Sequence, residues 1–345
     1  MTKRIKQTTT LIISFISLLL MFSACKKDSS KDFVTDYNPD LTSEKGTIFT
    51  GDYFPIGENY SWELYGTTNM NGYIKYSGGG ESDKEDIDES ESDYINIYIG
   101  AKENINIDGV IKSLYPLYDE SDYIRYLDKT SEGVFIIAVK DYYGNIMTVT
   151  NPVFIRNPLI VGDKWKTEPA IDMNMIMSEM PFDGDVTTDL NSMIYVIGAE
   201  TKTIDSSPIE TIRLDQLAEA KIKMTVNDNN EGYTLKGSMT IVMKLKNKIN
   251  LAEDIGTVYQ DSEYDITGSG SFSMAGQSFS VSMEINADGI YTLDYYFIGS
   301  NNNIESPQLK SAKVPDKTYS KNNAVDNIMK GAIKISEIIK KQIKL

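Results

Sequence analysis

A chain with one cysteine and no histidine in 345 residues has few routes to chemistry. Ser-His-Asp and Cys-His nucleophiles, His-ligated zinc and the HExxH helix are all excluded. Neither GxGxxG nor GxxxxGK[ST] occurs, so the usual glycine loops for phosphate are missing too. Carboxylates remain, but a glycosidase needs two of them held about 5–9 Å apart, and no spacing singles out a pair. The densest run, ESDKEDIDESESD at 81–93, has eight acids against one lysine. It lacks the D-x-[DN]-x-[DN]-G-x5-E spacing that gathers calcium ligands. It therefore reads as a solvated, self-repelling loop between two strands. NDNNEG at 227–232 fails the same test, because residue 238 is serine, and reads as a hairpin turn. Met173, Met175, Met177 and Met180 carry thioethers suited to Cu(I). With no cysteine or histidine to assist them, filling an irregular apolar gap is the simpler use. No cofactor and no metal are expected, and the balance weighs against an enzyme.

The single cysteine sits in a particular context. Lys3, Arg4 and Lys6 precede an apolar run from Leu11 to Phe22, followed by Ser23, Ala24 and Cys25. Twelve residues are too few to cross a bilayer, which takes about 20; a basic start, a short apolar middle and small residues describe a signal peptide over 1–24. Ser23-Ala24-Cys25 resembles the lipobox of bacterial lipoproteins. That resemblance implies diacylglycerol on the Cys25 sulfur, cleavage before Cys25 and a firm acyl anchor. Lys26, Lys27 and Asp28 follow, with lysine rather than aspartate after the cysteine. By resemblance to lipoprotein sorting signals they imply the outer membrane, and exposure at the cell surface. Residues 25–50 are polar and aperiodic, a lipidated flexible tether, and folded sequence is expected from Gly51.

Charge limits the partners of the body. Removal of Lys3, Arg4 and Lys6 leaves 31 basic residues of the original 34 against 50 acids, a formal charge of −19. Such a polyanion is repelled by nucleic acid and by anionic head groups, so neither is expected as a partner of the main body.

The remaining sequence reads as strands. YINIYI (94–99), VFIIAV (134–139) and MIYVI (193–197) are β-branched and aromatic runs, and the continuous apolar character of 134–139 predicts a strand covered on both faces. In YTLKGSMTIVMKLK (233–246), Leu235, Met239, Ile241, Met243 and Leu245 alternate with polar residues, Val242 excepted. AKIKMTV (220–226) and SFSMAGQSFSVSMEI (271–285) repeat this, the latter across a turn at 275–277. Period-two alternation of this length predicts long antiparallel strands, dry on one side. Val325, Ile328, Met329, Ala332, Ile335, Ile339 and Ile343 recur at helical spacing behind an Asn323 cap, with lysines on the other positions. That predicts a C-terminal amphipathic helix within 319–345, laid on the sheet's apolar face or on a membrane surface.

Both tryptophans follow a proline by seven residues with a glycine–acid pair between: FPIGENYSW (54–62) and NPLIVGDKW (157–165). A Pro/Gly turn that launches a strand with a buried indole accounts for both. The echo makes 51–155 and 156–318 a candidate pseudo-repeat within one β-rich region, 51–318. With the lipobox and tether, these motifs resemble Bacteroidota lipoproteins that open on Tyr-Phe-Pro-(Leu/Ile)…Gly…Trp, some of them akin to LolA/LolB-type half-barrels. The resemblance implies a curved antiparallel sheet with a helix against its concave face, and no functional residue is carried over.

The expected fold is thus mainly β: a long antiparallel curved sheet, half-barrel or open sandwich, with one C-terminal helix. The expected function is non-enzymatic binding of an apolar ligand or an envelope protein partner. Met224, Met239, Met243, Met274 and Met283 form an adaptable apolar lining on the dry side. A second expectation is glycan binding through the early tyrosines, among them Tyr53, Tyr60, Tyr65, Tyr73 and Tyr76. A carboxylate-based hydrolase is the third.

Overall fold

A computed structural model describes residues 33–78, 81–119, 123–141, 144–149, 152–167, 184–228, 235–274 and 277–297. Every described element is a strand. Seven are long: β2 (Tyr60–Gly78), β3 (Glu81–Ile99), β12 (Gly184–Ile204), β13 (Ser207–Asp228), β14 (Leu235–Ala252), β15 (Gly256–Met274) and β16 (Gln277–Phe297). With 18 to 22 residues each, they extend about 60–70 Å. The shorter elements are β1 (Ile48–Phe49), β4 (Glu103–Ile107), β5 (Val110–Tyr118), β6 (Ile124–Thr130), β7 (Gly133–Lys140), β8 (Ile146–Thr148), β9 (Val153–Arg156), β10 (Leu159–Ile160) and β11 (Lys164–Lys166).

One antiparallel sheet runs β11-β12-β13-β14-β15-β16-β2-β3-β5-β6-β7-β8, with β4 beside β5 and β9 beside β7. It curves without closing into a barrel. The ladder from Phe279↔Gly78 to Phe297↔Ser61 joins β16 to β2, so the two halves of the candidate repeat share one sheet. The alternation read from 233–246 and 271–285 is its ladder, with Met224 opposite Met239 and Phe272 opposite Phe279. β7 is covered on both faces as expected: Val134, Ile136 and Val139 belong to the main core, Ala138 to a smaller cluster with Leu114 and Tyr126. The main core gathers the base of the sheet, where Trp62, Leu64, Val196, Leu214, Leu251 and Leu293 meet the short strands that follow β3. Trp62 stacks on Phe54 with centroids 5.6 Å apart and donates its indole N–H to the Ile255 carbonyl. Trp165 is equally buried, so both Pro…Gly-acid…Trp segments deliver an indole into the core.

Two expectations are corrected. The acid run is not a loop: 81–93 is most of β3, paired residue for residue with β2. On its other side β3 meets β5 only at Tyr98 and Ile99, so its charges lie along an edge where water solvates them. Like charges on an edge strand also discourage pairing with another chain, which makes acids suitable there. The expected tether 25–50 is also shorter than its composition implies. Val34 is fully buried against Met193, Tyr195, Ile197 and Leu217 on the outer face of β12 and β13. The Tyr195 hydroxyl donates to the Val34 carbonyl at 2.5 Å, and the Tyr37 hydroxyl donates to Asp215 at 2.5 Å. Asp215 is wholly buried and held by Arg213 through two bonds of 2.8 and 2.9 Å. Further on, Ser43 crosses β12 at Gly198, where φ is +133° and a Cβ would lie 2.6 Å from the serine hydroxyl. The segment is held by an apolar contact at Phe33, Val34 and Tyr37 and, beyond it, by bonds to backbone and charge. Cys25, Lys26, Lys27 and Asp28, the 173–180 methionines and the expected helix in 319–345 lie outside the described residues. No described helix is long and apolar enough to cross a membrane.

Candidate functional site

The inner face of the sheet is set by parity. Even positions of β12, β13, β15, β16's partner β2 and odd positions of β14 and β3 turn the same way, because each is paired directly with the next. At the base these positions line a partly open cavity of about 160 Å³. Leu214, Ile249, Leu251, Leu64, Ile95 and Ile97 come from the long strands. Leu117, Leu127, Ile136 and Ile155 come from the short strands that curl back over them, and Val149 follows directly on β8. The volume is that of a benzene-sized group, since an engineered apolar cavity of about 150 Å³ binds benzene. It is below the roughly 300–1,000 Å³ of pockets for drug-sized ligands.

A few polar groups converge on this apolar space. Arg125, 1% exposed, lines it and is ion-paired to Asp119. From the sheet side come Gln216, Asn247 and Gln260. Gln216 and Asn247 belong to a row that crosses the inner face in register, through Ser262, Gly289, Thr68 and Glu91, and Gln260 lies beside it. The row is internally bonded. Gln260 donates to the Ser262 hydroxyl at 3.0 Å, Ser262 donates to Asn247 Oδ1 at 3.1 Å, and the Thr68 and Tyr291 hydroxyls share a bond of 2.7 Å. Tyr291 fits because Gly66 stands opposite it; a Cβ there would lie 2.4 Å from the ring. The row divides the inner face in two. Below it lies the cavity, and above it a second apolar cluster of Met70, Ala218, Leu245, Tyr264, Ile266 and Ile285.

The methionines expected to line a ligand site lie above the row. Met224 and Met239 face each other, Met243 opposes Ile266, and Met283 opposes Gly268, all on the inner face. None of them lines the cavity, and the Met274 side chain lies outside the described residues. Sequence reasoning missed Arg125, Gln216, Asn247 and Gln260. A signal for two of them existed: Gln216 interrupts Leu214…Ala218, and Asn247 interrupts Leu245…Ile249, each a polar residue at a dry-face position.

The early tyrosines separate. Tyr53 and Tyr60 pack against the main core, while Tyr65 and Tyr94 are 43% and 41% exposed on the outer face with ring centroids 4.8 Å apart. Burial first, and the nearby Asp294 carboxylate second, raise Glu63 above the ordinary carboxylate range. Aromatic faces and acids thus share one exposed patch. Among the described residues no group of three or more acids could hold a metal ion.

No family model matches the chain, and no curated protein matches it. Among solved structures it shows a faint likeness to outer-membrane β-barrel proteins. OccK1 (OpdK) of Pseudomonas aeruginosa is 9% identical, over 66% of this chain and 98% of that one, with a TM-score of 0.14. OpdO of the same organism is 6% identical over 67% and 97%, with a TM-score of 0.17. The toluene transporter TodX of Pseudomonas putida is 7% identical over 76% and 100%, with a TM-score of 0.15. At such scores the likeness gives no ground for a shared fold or function.

Proposed function

We propose that this chain is a lipid-anchored, non-enzymatic protein of the outer membrane that holds a small apolar ligand in the cavity at the base of its sheet. The anchor is supported by the basic start, the apolar run and the Ser23-Ala24-Cys25 sequence. The observation that carries the binding function is the partly open, largely apolar space of about 160 Å³, met by Arg125, Gln216 and Asn247. Its size favours a ring or the end of an acyl chain over a whole lipid. Native mass spectrometry of delipidated protein equilibrated with benzene, toluene or short alcohols tests this. One bound molecule per chain, lost in Val149→Phe, is the expected result; no binding to either protein overturns the reading.

A second reading, glycan binding at a cell surface, is favoured by the exposed Tyr65–Tyr94 pair beside Glu63 and Asp294. Aromatic faces stack on sugar rings and carboxylates accept their hydroxyls. A glycan array should then show hits that Tyr65→Ala abolishes; an array without hits ends this reading.

A further inference from the structure

The polypeptide leading from Cys25 joins the folded body on one particular face. Phe33 lies under the Lys244 ammonium, 5.5 Å from ring centroid to nitrogen, and Val34 is buried against Tyr195 and Leu217. These contacts are on the outer face of β12, β13 and β14, about midway along the strands. Phe33 stands only eight positions after Cys25. Eight residues reach about 29 Å at full stretch and about 16 Å as a coil. We infer that the outer face of β12–β14 is the side of the domain turned to the phospholipid headgroups. The inference rests on the lipid anchor proposed above.

Charge distribution agrees with the geometry. Outer positions of β13 and β14 carry six lysines, among them the exposed Lys221, Lys223 and Lys236. Their own strands add only Glu219 and Asp215, the latter held by Arg213. Acids on β12 and on β15, Asp185, Asp189, Asp261, Glu263 and Asp265, bring the whole face near neutrality. The outer face of β16, β2 and β3 is different. Glu63, Asp86, Asp88, Glu284, Asp288 and Asp294 outnumber Lys75 and Lys84 there. An anionic bilayer repels that side and tolerates the other, and the repulsion acts within a Debye length of about 8 Å. A short, latched connection and a one-sided acid surface therefore favour the same orientation. It leaves the Tyr65–Tyr94 patch facing away from the bilayer.

The test uses the lipidated chain on vesicles of phosphatidylethanolamine and phosphatidylglycerol. With Cys25 acylated, an introduced cysteine is the one free thiol. Lys223→Cys and Asp86→Cys are each labelled with a fluorescent donor, and energy transfer to a headgroup-labelled acceptor lipid is measured. Transfer from position 223 should exceed that from position 86 by at least twofold. Tyr37→Phe, which loosens the latch, should narrow the difference. Equal or reversed transfer from chains that float with the vesicles overturns the orientation while leaving the anchor intact. Chains that do not float, and whose Cys25 is itself labelled, overturn the anchor and the inference together.

Discussion

The same seven strands behave as two different materials along their length. Up to the polar row, β12 and β13 are covered on both faces: Leu214 and Val196 are sealed on the inner side, while Tyr195 and Leu217 are sealed on the outer side by Val34. Beyond the polar row only one face is apolar. Met224, Ile241, Met243 and Met283 are half-buried there, and the outer positions are mostly serine, threonine and charged residues. Period-two alternation is present in both halves, so it does not decide which half is core. The cover decides, and it comes from distant sequence: the 33–50 segment on one side, and the short strands after β3 on the other.

Breaking the base should therefore cost far more than breaking the far half. Trp62→Ala removes an indole that is 2% exposed, stacked on Phe54 and bonded to the Ile255 carbonyl. It should lower unfolding free energy by about 3–5 kcal/mol, read by urea denaturation. Met224→Ala, on the half-buried far face, should cost about 1 kcal/mol, since less area leaves water there. Equal losses would remove the distinction between the two halves.

The outer cover gives a smaller effect with a signature in pH. Tyr37→Phe deletes the bond to buried Asp215 and should cost about 1–3 kcal/mol. Burial first, and the Asp215 bond second, raise the Tyr37 phenol well above its usual value. A raised folded value means the contribution is complete below the ordinary tyrosine pKa of about 10 and is lost as pH rises through the folded value. The gap in urea midpoints between wild type and Tyr37→Phe should hold from pH 7 to 9 and narrow above 10. A gap unchanged at pH 11 would refute the latch. The smallest stability effect is expected at the acidic edge. Asp83, Asp86, Asp88 and Asp93 changed together to Asn should shift stability by less than about 1 kcal/mol. The same change should produce concentration-dependent association in sedimentation experiments. A strictly monomeric variant would show that these charges do not guard the edge.

Much of the far half was legible in sequence, because there local pattern and final environment coincide. Leu235 to Leu245 alternates, and the ladder follows it. Trp62 and Trp165 were also legible, since a Pro/Gly turn fixes where a strand starts. The acid run was not, because charge density argues for solvent and says nothing about backbone conformation. An edge strand satisfies both: β2 supplies the ladder on one side, and water reaches the charges from the other. The 33–50 segment was hidden for a related reason. Its anchors are one short apolar contact around Val34, a buried aspartate, a tyrosine hydroxyl and a glycine bulge, none of which leaves a periodic trace in the segment. The cavity was hidden because its two walls lie about a hundred residues apart in sequence, and only the polar interruptions at Gln216 and Asn247 mark its rim.

The most direct test of the account is a methyl NMR titration with benzene, observing isoleucine, leucine and methionine methyls together. Binding at the base predicts shifts at Leu214, Leu127, Ile136 and Ile249, with Met224, Met239, Met243 and Met283 still. Shifts confined to those methionines, with the base unmoved, would contradict it.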